Sequence, residues 1–181
     1  MGPALVLPRL VFGDGALAKL AEELALLGVK RPLLIADRGL EAAGIVAKVR
    51  ASAPTIASEF LDVPENPTAA GADAGAIAYR DAACDGIVAL GGGSVLDTAK
   101  MVAALACLEG AAAALIGKPE RIERVVPLIA IPTTVGTGSE SSPVAALHLE
   151  PGGPGIGTRS PLLSLVWLCA IPRWRVHCPA A

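Results

Sequence analysis

The feature that most limits how this chain can fold is an apolar segment that runs directly into three glycines. Residues 85–90 read Asp-Gly-Ile-Val-Ala-Leu, and Gly91-Gly92-Gly93-Ser94 follows without a break. From there the apolar residues recur at helical spacing, as Val95, Ala99 and Val102 show. A short apolar strand, a glycine turn and a helix in direct succession are typical of open α/β folds. We therefore predict a strand over 85–90 and a helix that begins at Ser94.

The same alternation of apolar strands and amphipathic helices extends along the chain. Helical spacing is found in residues 17–27, 40–51 and 69–83, and Thr68 is predicted to cap the last of these helices. The other predicted strands cover residues 5–12, 32–36, 55–63, 127–131 and 144–149. Strands that alternate with helices form a parallel sheet with right-handed crossovers. The fold class is therefore predicted to be α/β, with a Rossmann-like parallel sheet flanked by helices.

Composition and charge narrow the function classes. Apolar residues make up 53% of the 181 residues, whereas the net charge is only −2. A chain with so little net charge offers no basic surface for nucleic acid. Its apolar segments are shorter than the roughly 20 residues of a membrane-spanning helix, and its first residues do not form a secretory signal. We therefore expect a cytoplasmic protein with no nucleic-acid partner and no membrane partner.

The glycine turn has the chemistry of an anion site. Because Gly92 and Gly93 carry no side chains, a phosphate can approach their backbone N–H groups closely. Ser94 would either cap the helix or donate its hydroxyl to the phosphate, and Asp97 would lie in the first helical turn, where the dipole favours a carboxylate. The turn matches neither the GxGxxG fingerprint nor a P-loop. A tight turn made only for packing is therefore the alternative.

Two further polar features follow predicted strands and are expected at the same edge of the sheet. Asp37 could accept hydrogen bonds from both hydroxyls of an adenosine ribose, which favours NAD, although the adjacent Arg38 keeps NADP open. The alternative role of Asp37 is to cap the next helix. Thr133, Thr134 and Thr137 lie in a loop with two glycines, which is either a ligand-binding loop or an ordinary surface turn.

Two long motifs resemble a known family. Residues 91–100, GGGSVLDTAK, and residues 131–140, IPTTVGTGSE, closely resemble the two signature stretches of the iron-containing (group III) alcohol dehydrogenases. Residues 12–17, the strand ending at Asp37, and Asn66-Pro67 are similar to the family in the same order. The resemblance implies a dehydroquinate synthase-like N-terminal domain that binds the nucleotide, followed by a helical domain that holds a divalent metal.

The resemblance also implies an activity and a set of cofactor contacts. The activity is NAD(P)-dependent hydride transfer between an alcohol and an aldehyde or ketone, with iron or zinc polarising the alcohol oxygen. By position, Asp37 would hold the adenosine ribose, and Asn66 would lie near the adenosine half. The remaining contacts fall on the pyrophosphate (Gly92, Gly93 and Ser94), on the nicotinamide side (Asp97) and along the cofactor cleft (Thr133, Thr134 and Thr137).

The chain departs from the family after the threonine-rich loop. The family holds its metal with one Asp and three His on later helices, whereas this chain has only His148 and His177, in motifs that do not match. We therefore expect residues 1–163 to form the dinucleotide-binding domain of a truncated member that lacks the helical metal domain. Residues 164–181 contain both tryptophans and two of the four cysteines. This abrupt change in composition suggests a shifted reading frame or a mispredicted gene end.

Three functions follow as hypotheses. The first is a cofactor-binding fragment of an alcohol dehydrogenase, inactive alone, whose family acts on a small alcohol or aldehyde. The second is a nucleotide-binding module without catalysis. The third is a non-functional remnant that exposes the face its missing domain would cover. The resemblance further implies a homodimer.

Overall fold

The computed structural model describes residues 9–164 and the backbone of residues 167–170. In this part of the chain the α-helices are α1 (Leu20–Leu26), α2 (Arg38–Ala42), α3 (Ile45–Ser52), α4 (Ala69–Asp81) and α5 (Gly93–Leu105). Single turns of 3-10 helix cover Ala16–Lys19, Ala112–Ala114, Pro119–Arg121 and Pro161–Leu163. None of the helices in these ranges is long and apolar enough to cross a membrane.

The strands form one parallel sheet and one separate hairpin. In chain order they are β1 (Arg9–Phe12), β2 (Pro32–Ile35), β3 (Ser58–Phe60), β4 (Gly86–Gly91), β5 (Leu128–Pro132), β6 (Val144–His148), β7 (Gly155–Arg159) and β8 (Trp167–Ala170). The sheet has the order β1-β8-β5-β4-β2-β3, and every neighbouring pair in it is parallel. Strands β6 and β7 pair antiparallel outside this sheet. The predicted α/β class with a parallel sheet is therefore confirmed.

Apolar side chains of the central strands pack into two cores, one on each face of the sheet. Leu33 and Ile35 of β2 pack into the core that α4, α5 and β6 cover, whereas Leu34 packs into the core beneath α1 and α3. Successive residues of a strand point to opposite faces, so a strand that is apolar throughout is buried on both sides. This burial fixes the carboxyl ends of β2, β4 and β5 side by side at one edge.

Some predicted elements differ from the structure. The helix predicted over 40–51 is two helices, because Gly44 adopts a left-handed conformation with φ +72° between α2 and α3. The strand predicted over 55–63 is regular only in β3. The 17–27 helix begins as 3-10 helix and ends where predicted, at Gly28, whose φ is also +72°. Strand β7 was not predicted.

The backbone of β8 lies within the segment predicted to be atypical. It pairs with β1 on one side and with β5 on the other, so this backbone completes the sheet. The side chains of residues 165–181, including His177, are outside the part of the chain that the structure describes. The origin of this segment in a shifted reading frame or a mispredicted gene end stays a prediction.

Candidate functional site

A cleft of about 650 Å³ opens at the carboxyl ends of β2, β4 and β5. Four stretches of chain line it: residues 37–40, residues 61–65, the glycine turn with the start of α5, and the two threonines after β5. Asp37, Gly92, Ser94, Thr133 and Thr134 are the predicted site residues among its lining. Parallel α/β sheets bind their ligands at this edge, so the cleft is the candidate cofactor site.

The glycine turn gives the cleft a half-buried helix N-terminus that no side chain caps. Strand β4 ends at Gly91, Gly92 occupies the N-cap position, and no side chain caps α5. The first N–H groups of a helix have no partner within the helix, and together with its dipole they attract an anion. A Cβ on Gly92 would lie 2.9 Å from Thr134 Oγ1, and a Cβ on Gly93 would lie 3.2 Å from Thr137 Cβ. A larger residue at position 92 would therefore disturb Thr134, which lines the cleft, and one at position 93 would disturb Thr137 behind it.

Ser94 does not cap the helix, which corrects the first of its two predicted roles. It lies inside the first turn, and its hydroxyl donates to the carbonyl oxygen of Glu65 at 2.5 Å. This hydrogen bond joins α5 to the segment 61–65 on the opposite wall of the cleft. Ser94 therefore sets the width of the cleft, and donation to a phosphate would require this bond to break.

Asp37 caps a helix, which is one of the two roles that the sequence left open, and its contact with a ribose stays a prediction. Its Oδ1 accepts a hydrogen bond from the backbone N–H of Leu40 at 2.9 Å and so caps α2. Its other oxygen has no donor among the described residues, and the residue lines the cleft. Gly39 leaves room for the carboxylate, since a Cβ there would lie 3.0 Å from Oδ1. One carboxylate can thus hold the helix and still accept from a ligand hydroxyl.

Arg38 also lines the cleft, but its guanidinium is already paired. It donates to Asp62 Oδ1 and to Glu41 Oε2, each at 2.9 Å. The hydrogen bonds to Glu41 and Asp62 raise the pKa of Arg38. All three side chains are exposed, so each pair exchanges readily with water and salt. The cation beside Asp37 therefore pairs with two carboxylates of this chain, through bonds that a ligand could displace.

Asp97 lies behind the cleft rather than in its lining. Helix α5 begins at Gly93, so Asp97 is past the first turn, contrary to the prediction from the sequence. Its Oδ1 accepts from Ser139 Oγ at 2.5 Å, and its Oδ2 accepts from the N–H of Ala146 at 3.0 Å. The carboxylate thus connects α5 to Ser139, just after the threonine-rich loop, and to Ala146 in β6.

The threonine loop, residues 133–138, forms the third wall. The backbone N–H of Thr133 donates to Gly91 O at 3.0 Å, which continues the pairing of β5 with β4. Thr133 and Thr134 line the cleft, whereas Thr137 lies against Gly93 and accepts from the N–H of Ser139 at 3.3 Å. The loop is mostly exposed, and Val135 is 87% exposed.

Asn66 is exposed and lies next to the lining segment 61–65 rather than in it. The adjacent Pro67 carbonyl accepts from the N–H of His148 at 2.8 Å, which fixes this turn to the β6–β7 hairpin. Contact of Asn66 with the adenosine half of a cofactor stays a prediction.

The described residues do not fit a divalent metal. In residues 9–164, no three side chains of His, Cys, Asp or Glu come together closely enough to hold one. His148 uses Nδ1 in a hydrogen bond with the carbonyl of Gly153 at 2.5 Å. The metal-ligating residues that the resemblance implies are thus not supplied by the described part of the chain.

Comparison with known proteins decides the family. The family model for iron-containing alcohol dehydrogenase matches residues 8–166. This chain belongs to the iron-containing alcohol dehydrogenase family. Among curated members, it is 43% identical to 4-hydroxybutyrate dehydrogenase of Cupriavidus necator over 143 residues, and 36% identical to choline dehydrogenase of Bacillus subtilis (strain 168) over 173 residues. The family resemblance inferred from the two motifs is confirmed.

The coverage is unequal between this chain and its relatives. The two matches cover 76% and 92% of this chain but only 37% and 43% of the relatives. Among solved structures, NADH-dependent butanol dehydrogenase A from Thermotoga maritima is similar with a TM-score of 0.86 and 28% identity, over 95% of this chain and 44% of that one. The chain therefore spans less than half the length of these iron-containing alcohol dehydrogenases.

The sequence missed two groups that shape the site. The segment 61–65, with Asp62 and Glu65, lines the cleft but follows a strand too short to give a clear alternation. Lys100 and Ser139 connect α5 to the threonine loop, although neither lines the cleft. Lys100 ends the first family motif and Ser139 lies in the second. Their place in these motifs is the one sequence signal that could have pointed to them.

Proposed function

We propose that this chain binds NAD in the cleft and forms the cofactor-binding part of an alcohol dehydrogenase that interconverts an alcohol and an aldehyde or ketone. One observation carries the proposal. The cleft has the uncapped N-terminus of the 13-residue helix α5 at one end and an unpaired oxygen of Asp37 at the other. A dinucleotide presents a diphosphate and a ribose with two hydroxyls, which match these two groups.

The proposed contacts of the diphosphate are made by the backbone of the glycine turn and by two threonine hydroxyls. Gly92 and Gly93 would direct N–H groups of the first turn of α5 at the phosphate oxygens. Thr133 and Thr134 would contribute hydroxyls from the facing loop. Ser94, Asp97 and Thr137 would not touch the cofactor but would fix the segments that line the cleft. In this proposal only Gly92, Gly93, Thr133 and Thr134 touch the diphosphate.

The arrangement at Asp37 favours NAD over NADP. A carboxylate accepts hydrogen bonds from ribose hydroxyls and repels a 2′-phosphate. Arg38 is the cation that could bind a 2′-phosphate, but it already pairs with Asp62 and Glu41. NADP would have to compete with these two carboxylates, so we propose that NAD is the preferred cofactor.

NAD supplies the hydride acceptor for oxidation of the alcohol. The names of the relatives include 4-hydroxybutyrate, choline and methanol dehydrogenases, so the proposed substrate class is a small hydroxyl compound. Metal polarisation of the alcohol oxygen needs ligands that the described residues do not bring together. We therefore expect the 181-residue chain alone to bind cofactor with negligible turnover. The homodimer and the cytoplasmic location stay predictions.

Calorimetric titration of the purified chain with NAD, ADP-ribose and NADP tests the proposal. We expect saturable binding of NAD and ADP-ribose at one site, with weaker binding of NADP. Gly157→Ala in β7 serves as a control variant. Its added Cβ would make only an ordinary contact with Val144, so it should bind the three ligands as the wild-type chain does. A chain that melts cooperatively and gives no saturable heat with NAD would contradict the proposal. A broad, non-cooperative melt would instead support the remnant hypothesis.

The same preparation separates a dehydrogenase fragment from a stand-alone binding module. Addition of a divalent metal and an alcohol should leave NADH absorbance flat for the chain alone. A partner chain that binds this one and restores NADH formation would support the dehydrogenase. Tight nucleotide binding with no response to any added partner would favour the module.

A further inference from the structure

Lys100 is a buried cation whose bonds all lead to the chain that follows the threonine loop. It lies in α5 and is only 1% exposed. Its Nζ donates to the carbonyl oxygens of Ser139 at 2.6 Å, Ser142 at 2.8 Å and Val144 at 2.8 Å. An ammonium has three protons to donate, so three carbonyls satisfy it. One side chain of α5 thus gathers the whole segment 139–144.

Asp97 strengthens this connection from the preceding turn of α5. Its two oxygens accept from Ser139 Oγ and from the N–H of Ala146. Its Oδ1 also lies 3.7 Å from Lys100 Nζ. Burial lowers the pKa of Lys100, and the charges of Asp97 and Glu140 oppose that shift. The cation is therefore partly compensated where it lies.

The segment that Lys100 holds continues directly from the threonine loop. Ser139, its first residue, donates its N–H to Thr137 Oγ1, and Thr137 in turn lies against Gly93. The loop itself has two glycines with positive φ, Gly136 at +102° and Gly138 at +68°. Such a loop has little conformational preference of its own. Its position against the glycine turn therefore depends on what fixes its two ends.

We propose that Lys100 is a positioning residue for cofactor binding, which holds the threonine loop against the glycine turn by gathering the carbonyls of residues 139–144. The proposal rests on the proposed function, because it takes NAD as the ligand of the cleft. Lys100 acts through the loop and does not touch the cofactor. Its loss should weaken ligands that reach across the diphosphate more than ligands that end at the adenosine side.

The test compares Lys100→Met with Lys118→Met in the 181-residue chain. Methionine keeps most of the buried volume of Lys100 and removes its donors, whereas Lys118 is exposed and its backbone N–H donates to the carbonyl oxygen of Leu115. Calorimetry should give a dissociation constant for NAD about tenfold higher in Lys100→Met, and a change of less than about twofold for AMP. The Lys118→Met control should match the wild-type chain for both ligands.

Hydrogen exchange gives a readout that does not need a ligand. Amides of residues 133–146 should exchange faster in Lys100→Met than in the wild-type chain, while amides of β2 and β4 should exchange at unchanged rates. Faster exchange across all strands, with equal losses for NAD and AMP, would show a general structural role and overturn the proposal. Unchanged NAD affinity in a variant with wild-type stability would overturn it as well.

The two possible failures are distinguishable. A wild-type chain that melts cooperatively but does not bind NAD removes the proposed function, and this inference with it. A wild-type chain that binds NAD as tightly as Lys100→Met removes only the inference. If Lys100→Met does not fold, Ser139→Ala replaces it. That change removes the hydroxyl that donates to Asp97 Oδ1 and accepts from Lys100 Nζ at 3.3 Å, so it weakens the anchoring of the same segment while the three carbonyl contacts remain. It should raise the dissociation constant for NAD about threefold and speed exchange over the same residues.

Discussion

The two ends of the cleft are built in different ways. The proposed diphosphate end is formed by Gly92, Gly93, Thr133 and Thr134. Its main anion-binding groups are backbone N–H groups at the start of α5, and the strand β4 that leads into them is buried. The proposed adenosine end is formed by residues 37–40 and Asp62, and it consists largely of exposed side chains that pair with one another. An anion site made from backbone requires the fold to place its groups to within about 0.5 Å. A site made from surface carboxylates can change without disturbing the fold.

This difference separates stability from affinity. At the diphosphate end, a substitution first meets neighbouring atoms, so its effect is on folding or on the shape of the cleft. At the adenosine end, a substitution changes charge and hydrogen bonding toward the ligand.

Gly91→Ala is predicted to have the largest effect, on stability. A Cβ on this buried residue would lie 2.5 Å from Val95 Cγ2 and 2.6 Å from Val95 Cβ. Val95 is itself buried and attached to α5, so the clash cannot be relieved by moving a flexible side-chain tip. Overpacking of this kind costs about 1–3 kcal/mol. Urea unfolding should show a lower midpoint with an unchanged slope.

The control for Gly91→Ala is Gly157→Ala, which adds the same methyl group in the separate hairpin. It should leave the unfolding midpoint close to that of the wild-type chain. Equal midpoints for all three proteins would mean that packing does not set the geometry of the glycine turn, and the comparison between the two ends would lose its basis.

Gly92→Ala is predicted to lower affinity rather than stability. Its φ of −82° is accessible to alanine, and the atom that its Cβ would approach is Thr134 Oγ1, on an exposed side chain that can rotate. The added methyl group would occupy space at the proposed diphosphate site and displace Thr134. We expect NAD to bind about tenfold more weakly, as measured by calorimetry. A large loss of stability in this variant would show that the two adjacent glycines have the same role.

Much of the diphosphate end could be predicted from the sequence because its information is local. The strand, the glycine turn and α5 follow one another within 20 residues, and Thr68 caps α4 through its hydroxyl as predicted. By contrast, the bonds of Lys100 join residues 39 to 44 positions apart. No periodicity in the sequence indicates which carbonyls a buried lysine will find.

The missed elements have physical causes of the same kind. Strand β7 reads Gly-Ile-Gly-Thr-Arg, which has too few apolar residues to show alternation, and it exists because β6 pairs with it. The break at Gly44 depends on a backbone conformation that glycine permits but does not require. At Asp37, the sequence offered a cap or a ribose ligand, and only coordinates show that one oxygen caps while the other is unpaired.

Asp37→Asn is predicted to change affinity at the adenosine end and leave the fold intact. Asparagine caps helices as well as aspartate does, so α2 should keep its N-terminal hydrogen bond. The lost negative charge weakens acceptance from the ribose hydroxyls, and NAD should bind about fivefold more weakly. Asp37→Ala is the matched variant, because it removes the cap too and should also cost about 1 kcal/mol of stability. Equal stability losses in the two variants would contradict this division of labour.

Asp62→Asn is predicted to have the smallest effect, and it tests the choice between cofactors. The change removes one of the two carboxylates that hold Arg38 and leaves Glu41 in place. A partly released guanidinium could meet the 2′-phosphate of NADP, so the dissociation constant for NADP should fall about threefold while that for NAD changes little. The gain should shrink as salt is added, because these groups are exposed and screened within about 10 Å at 0.1 M. Glu120→Gln, outside the cleft lining, should give no gain. If Asp62→Asn leaves NADP binding unchanged in a chain that binds NAD, Arg38 does not reach the ribose, and Asp37 alone sets the preference.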